Sequence, residues 1–459
     1  MLSRSDVLNN KRGALMSLAM STFAANMMHT LVSNVDQIMI SRYSQAAVAA
    51  VGNANQITWV ITLLFSVFST ASVILITQYK GANNKEHEDE VYALSIAANT
   101  LLGLIVGAVC IIFGRQIFAL MNVTDPEIAE LAYQYIAIVG GAVVFPSLMI
   151  TYGALFRSNA MMRENMIITI AVNLLNVVGN WLLIYGVGIF PELGVRGVAI
   201  STVFSRVLGL IATIIIFRRK VGGIRWSALR RFPVRQFWKL VRIGVPAAGE
   251  SFSYDTAQLV IMGFVNTMGI VAVNTKIYVG MISMLTYMFT ASLGDATQVF
   301  EGYLLGAKRH DDAYKRVMKT LLVGVICSVA ATVLVYFFSD PILRLFIGND
   351  AEALLLRDDI LRLGKTIFLI EIGLEFGRAF NLTLVKALQT AGDIKFPTFM
   401  CMVSSWTLSV LGGYIMGVQL GWGLVGIWLG IMLDECIRGI ILLIRWKAGG
   451  WRKRDVISE

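Results

Sequence analysis

Charged residues are scarce, at 15% of the 459-residue chain, and histidine occurs three times, at His29, His87 and His310, too far apart for metal-ligand spacing. The four cysteines, Cys110, Cys327, Cys401 and Cys436, stand singly inside apolar segments without a CxxC pair, which leaves packing as their role. No GxxxxGKS or GxxxxGKT loop is present, so nucleotide hydrolysis by that route is excluded. No set of acid, base and nucleophile has catalytic spacing, and no enzyme is expected. Scarcity of charge also excludes a soluble domain of ordinary composition.

What the chain has is hydrocarbon. It is 56% hydrophobic with a mean hydropathy of +0.70, and a spanning helix needs roughly 20 mostly apolar residues to cross about 30 Å. Twelve such runs occur, near 15–40, 48–78, 91–113, 128–156, 165–189, 195–217, 241–265, 272–303, 317–338, 360–385, 396–418 and 423–445. Lipid requires backbone polar groups to be satisfied within each segment, so the fold class expected is an all-α integral membrane protein with the bilayer as its main partner. The first run lacks a small-residue cleavage site and is read as retained. Net charge is +10, and residues 218–242 carry nine Lys and Arg and no acid. Basic residues favour the cytoplasmic side, which predicts a multi-pass protein of the cell (inner) membrane with both termini cytoplasmic. Topology and anionic lipid account for the positive balance, and no nucleic-acid module accompanies it.

The chain also resembles itself. An offset of 225 pairs Gly81-Ala82 with Gly306-Ala307, and an offset of 229 pairs GVRGVAI (194–200) with GLVGIWL (423–429). Duplication of a six-helix unit explains both. The expected organisation is an N-terminal lobe (1–217), a cytoplasmic basic connector (218–240) and a C-terminal lobe (241–459), the two bundles related by a pseudo-twofold axis around a central cleft. That arrangement is one of secondary transporters.

Ionisable groups inside lipid cost at least about 2.5–3.5 kcal/mol each and mark function by default. Asn26, His29, Ser33 and Asp36 are spaced 3, 4 and 3 apart, on one helical face; a helix-to-helix hydrogen-bond network is the other reading of that face. In the seventh run Glu250, Tyr254 and Gln258 share a face, with Asp255 slightly round the helix and Pro246 just before. The tenth run offers Glu371, Glu375 and Arg378, of which Glu375 and Arg378 either neutralise each other or serve coupling. Asp295, Asp434, Glu435 and Arg438 read as structural pairs or interface residues. The stretch YVGMISMLTYMF contains Tyr278, Met281 and Tyr287, which would either pack or line an adaptable substrate pocket.

In this order, NVDQIMISRYSQAAVAAVG, TQYKGA, NLLNVVGNWLLIYG, LGVRGVAIST and LVKALQTAGDIKFP make the chain resemble the multidrug and toxic compound extrusion (MATE) family end to end, while GESFSYDTAQ, EFGRAFN and DECIRG look like one bacterial branch of it. The resemblance implies a secondary active efflux transporter. It would exchange H⁺ or Na⁺ for a small organic substrate, a drug-like cation or a metabolite, by alternating access, with no cofactor beyond the coupling ion and as a monomer. It places the cation or proton site at Asp36, Asn176, Asn180 and Thr202, with Na⁺ at Asp36 as one possibility. Asn180 stands where some relatives have an acid, which weakens the case for Na⁺. The relatives' seventh-helix glutamate falls at Tyr254, leaving Glu250 or Asp255 to substitute, and their tenth-helix acid falls near Arg378, leaving Glu375 or Glu371. Ser21 replaces a first-helix proline that many relatives have. A lipid-linked glycan flippase of the same broad superfamily and a non-transporting membrane scaffold are the alternatives.

Overall fold

The structure, a computed structural model, describes residues 4–9, 13–230, 232–347 and 351–457. It is 87% helical, with no strand among the described residues. In chain order come α1 (Arg4–Leu8), α2 (Ala14–Tyr43), α3 (Gln45–Gly81), α4 (Lys85–Leu120), α5 (Pro126–Val139), α6 (Val144–Ser158), α7 (Met162–Tyr185), α8 (Gly194–Lys220), α9 (Val234–Asn266), α10 (Ile270–Gly306), α11 (His310–Phe337), α12 (Ser339–Arg344), α13 (Ala351–Thr390), α14 (Lys395–Ser404) and α15 (Gly423–Lys447). Between α14 and α15 the helix widens into two π-helical stretches, Ser405–Gly412 and Ile415–Gln419.

Each apolar run of the sequence falls on a helix or a helix pair, yet among the described residues only eight helices are long and apolar enough on their own to cross a membrane. The count reaches nine when α5 and α6, bent by 53° at their junction, form one span. The spans that fall short of that standard include α9, α13 and α15, which carry Glu250, Asp255, Glu371, Glu375, Arg378, Asp434, Glu435 and Arg438. The α5–α6 bend has a local cause. Pro146 lies in the first turn of α6 and cannot donate to a preceding turn. A Cβ on Gly140 would lie 2.8 Å from the Cys110 Cβ, so only glycine lets the junction press on α4.

Local signals set the helix ends. The Ser44 hydroxyl accepts from the Ala47 N–H at the start of α3, and Asp125 accepts from the Glu127 and Ile128 N–H groups at the start of α5, with Pro126 following. Gly186, at φ +64°, closes α7 in the left-handed conformation.

The chain forms two compact units. One holds Ser21–Val245 with the N-terminal segment up to Val7; the other holds Pro246–Glu459 with Leu8–Met20. The basic segment after α8, which the sequence suggested as a connector, packs on the N-terminal unit: Arg225 Nε lies 3.3 Å from Asp89 Oδ2, and Lys220 Nζ lies 2.6 Å from Glu164 Oε1. In that unit Ile40, Ala50, Phe65, Ile136 and Ile184 belong to one apolar core. Polar contacts add to it: Asn99 Nδ2 donates to Thr151 Oγ1 at 2.7 Å and is within 3.3 Å of Ser69 Oγ, joining α4, α6 and α3. The C-terminal unit has a core around Ile261, Val279, Phe368 and Ile427 and a second around Leu384, Trp446 and Trp451. Apolar residues such as Leu101, Ile112 and Leu322 face outward, as lipid-facing positions should.

The π-helical span and α15 approach through glycine. A Cβ on Gly426 would lie 2.5 Å from the Met416 carbonyl carbon, and one on Gly430 would lie 2.7 Å from the Gly413 nitrogen. Backbone cannot retreat as a side chain can. Gly426→Ala is therefore expected to cost about 1–3 kcal/mol, read as a lowered melting temperature in detergent, whereas Gly263→Ala, which meets open space, should be neutral or slightly stabilising. Equal melting temperatures for the two variants would refute this packing.

Candidate functional site

In the N-terminal unit three helices meet at Asp36. Asn180 Nδ2 of α7 donates to Asp36 Oδ1 at 2.8 Å. In the orientation that satisfies both ends of the Asn176 amide, its nitrogen donates to Asp36 Oδ2 at 3.1 Å. Its oxygen then accepts from the Thr202 N–H at 3.3 Å and the Thr202 hydroxyl at 3.2 Å. Asn180 is fully buried. Gly179 makes this possible, because a Cβ there would sit 2.4 Å from Ser201 Oγ; with hydrogen instead, α7 and α8 close up and Ser201 Oγ donates to the Asn176 carbonyl at 3.0 Å. The Tyr185 hydroxyl donates to the Met39 carbonyl at 2.7 Å and ties α7 to α2 one turn beyond Asp36.

Arg206 was not singled out from the sequence as a site residue. It lies one turn beyond Thr202 on α8, half-buried, and within electrostatic reach of Asp36, Tyr135 and His29. Its i+4 spacing from Thr202 was the available signal. The rest of the first-helix face behaves differently. Asn26, His29 and Ser33 are exposed, and the Ser33 hydroxyl is turned back onto the His29 carbonyl at 2.9 Å. They share a face with Asp36 without entering its hydrogen-bond set.

The C-terminal unit gathers charged side chains from α13 and α15 and polar partners from α9, α10 and α11. Arg378 of α13 pairs with Glu375 and, at 3.4 Å, with Glu371. The Trp428 indole N–H donates to Glu371 Oε2 at 2.6 Å, and the Ser328 hydroxyl donates to Glu375 Oε2 at 2.5 Å. The Arg378 guanidinium also lies 4.9 Å from the centre of the Tyr287 ring. Beside this set, the Tyr254 hydroxyl donates to Glu435 Oε1 at 3.1 Å, Asn381 Nδ2 donates to Glu435 Oε2 at 2.5 Å, and Arg438 NH2 lies 2.9 Å from the same oxygen. Ser409, in the π-helical span, donates to Asp434 Oδ2 at 2.8 Å. Glu371, Glu375, Asp434, Glu435 and Arg438 are all buried.

Glu435, Asp434 and Arg438, read from sequence as structural pairs or interface residues, do pair with one another and also join this network. Glu250 is apart from the Tyr254 contacts and accepts from Gln389 Nε2 at 2.8 Å. Asp255 and Gln258 are half-buried, and Asp255 reaches Tyr287 electrostatically. Tyr278 packs toward Phe346 with ring centres 5.8 Å apart, and Met281 is 52% exposed, so neither joins Tyr287 at Arg378. Asp295 pairs with Lys386 at 2.6 Å. Among the described residues, no group of three or more His, Cys, Asp and Glu side chains is arranged to hold a metal ion.

The MatE family pattern matches residues 22–182 and 246–415, more than half of the chain. The chain belongs to the MATE family. It is 34% identical over 449 residues to the uncharacterized transporter YisQ of Bacillus subtilis (strain 168), covering 97% of this chain and 96% of that one. It is 25% identical to the probable multidrug resistance protein NorM of Thermotoga maritima, covering 98% and 95%. A crystal structure of MATE in the straight conformation shares the fold, with TM-score 0.87 at 19% identity over 99% of this chain and 100% of that one. The protein is therefore a multi-pass membrane transporter with the twelve-helix MATE fold. MATE family members are transporters rather than enzymes.

Removing one partner of a buried ion pair leaves an uncompensated charge. Arg378→Met is expected to cost about 3–5 kcal/mol through Glu371 and Glu375, seen as loss of monodisperse protein on mild heating, and Glu375→Gln in the same chain should recover part of it. Unchanged heat tolerance in Arg378→Met would show that the pair carries no such constraint.

Proposed function

We propose that this MATE protein is a proton-coupled exporter of small organic molecules, embedded in the cell (inner) membrane with both termini cytoplasmic, and that Asp36 is its coupling group. The observation carrying the reading is the set of amide donors around one half-buried carboxylate. An ionised Asp36 accepts from Asn180 and Asn176. A proton on it turns an acceptor oxygen into a donor and sets it against an N–H, so α2 and α7 lose a contact that fits only the ionised form. Loading and unloading a proton thereby favours different packings of α2, α7 and α8, and a ligand shifts a conformational equilibrium only through such differential contacts.

Sodium fits these residues less well. Asp36, Asn176, Asn180 and Thr202 carry enough oxygens, yet the amides present nitrogen to the acid and Arg206 adds positive charge nearby. A hard cation needs several oxygens facing it, which would require both amides to turn. With Asn180 as an amide, Asp36 is the one acid of the set. The relatives named for multidrug resistance support small organic substrates, and the basic tract supports the orientation. One charge crossing 100 mV supplies about 2.3 kcal/mol, roughly fifty-fold accumulation of a neutral substrate.

Proteoliposomes test this with ethidium as the probe. A pH gradient should drive ethidium movement, a Na⁺ gradient at equal pH should not, and Asp36→Asn should abolish the pH-driven component while remaining folded. Asn180→Asp, which restores a second acid, should introduce Na⁺ dependence. Na⁺-driven transport in the wild type, or full pH-driven transport in Asp36→Asn, would overturn the proposal.

A further inference from the structure

In the buried network of the C-terminal unit, the hydrogen bonds show which carboxylate lacks a partner. Glu371 receives Arg378 on one oxygen and Trp428 on the other. Glu375 receives Arg378 and Ser328, and Glu435 receives Tyr254 on Oε1 and Asn381 with Arg438 on Oε2. Every oxygen of these three glutamates faces a donor, the arrangement an ionised carboxylate requires. Asp434 differs. Its Oδ2 accepts from Ser409 and lies 3.7 Å from Arg438 NH2, while its Oδ1, on a residue with 0% exposure, makes no hydrogen bond; the neutral Ser404 hydroxyl, which also makes none, faces the same carboxyl.

Charge balance points the same way. Four carboxylates here face two guanidiniums and the ammonium of Lys276, which lies 5.6 Å from the Trp428 ring centre and reaches Glu371 electrostatically. Among these four one negative charge is left over, and Glu250 beside Arg438 adds to the surplus. The other groups that face Asp434 do not remove it. Glu435 and Arg438 share its helix, and Tyr254 and Glu250 of α9 add a neutral phenol and a further acid beside Arg438. Cys401 of α14 accepts from Arg438 NH1 at 2.8 Å, and Arg378 of α13 is engaged by Glu371 and Glu375. An unpaired charge in a dry helical core costs far more than a neutral polar group in the same place. A single free oxygen cannot enclose a metal cation, which demands several oxygen ligands.

We infer that Asp434 is a proton-binding site of the C-terminal unit, with the proton held on Oδ1 and the carboxyl oriented through Oδ2 by Ser409. The site extends proton coupling to a second group, and its chemistry is independent of Asp36. It touches the span that widens into π-helix, a geometry often kept where function needs it. Release of the proton leaves Oδ1 charged and unpaired beside Ser409, so that span must shift or admit a new donor.

Infrared spectroscopy of the full-length protein in lipid tests this without transport, so its outcome is separable from that of the antiport reading. The wild-type minus Asp434→Asn difference spectrum should show a lost protonated-carboxyl C=O band that shifts in heavy water. If Asp434 is ionised, the loss falls instead in the carboxylate stretching region and the inference is overturned; it is likewise overturned if Asp434→Asn changes neither region. Should Asp434→Asn fail to give folded protein, Ser409→Ala provides the second reading: removing the donor to Oδ2 should move the same C=O band to higher frequency, and an unmoved spectrum would count against the site.

Discussion

Carrying carboxylates through a hydrocarbon layer is the constraint on which the rest of this structure depends. An ionised acid there needs donors from other helices, because lipid offers none and an unpaired charge costs several kcal/mol. In the N-terminal unit that need is met by amides: Asn180 and Asn176 on α7 close on Asp36 of α2, and Gly179 lets α8 come near enough for Thr202 to hold Asn176 in place. In the C-terminal unit it is met by guanidiniums, hydroxyls and an indole, with Arg378 and Arg438 each serving two acids and with Tyr254, Ser328, Ser409 and Trp428 donating to further oxygens, Asp434 Oδ1 being left over. The two units thus solve one problem with different chemistry.

That difference bears on transport. A carboxylate flanked by neutral amides responds to one proton by losing a donor contact, with Arg206 as the positive charge nearby. A carboxylate within an arginine network is more firmly held, and a proton there settles on the oxygen the network leaves over. Relatives with an acid at the position of Tyr254 would place negative charge on α9. Here the tyrosine is neutral and donates to Glu435, so the acid it serves comes from α15.

Much of this was legible in the sequence, and the boundary is physical. Apolar runs predicted where helices lie, and Glu375 with Arg378 was visible because i, i+3 spacing fixes neighbours on one helix. The resemblance pointed to Asn176, Asn180 and Thr202 beside Asp36, and the geometry places them together. Contacts across long separations were not legible: Tyr254 and Glu435 are 181 residues apart, and only packing brings them into reach. Periodicity also says which residues share a face without saying what the face meets. Asn26, His29 and Ser33 share that of Asp36 and are exposed, while Met281 points outward from α10. The bend at Gly140 and the π-helical turns after Ser404 depend on neighbouring helices, for which a single run has no signal.

The central claim is that export is coupled to protons carried on buried acids. Its most direct measurement is a proton count: ethidium is added to the purified transporter in weakly buffered detergent at constant Na⁺, and the pH is followed with an indicator dye. The account predicts release of protons in proportion to ethidium bound. Saturable ethidium binding with no change in pH would contradict it.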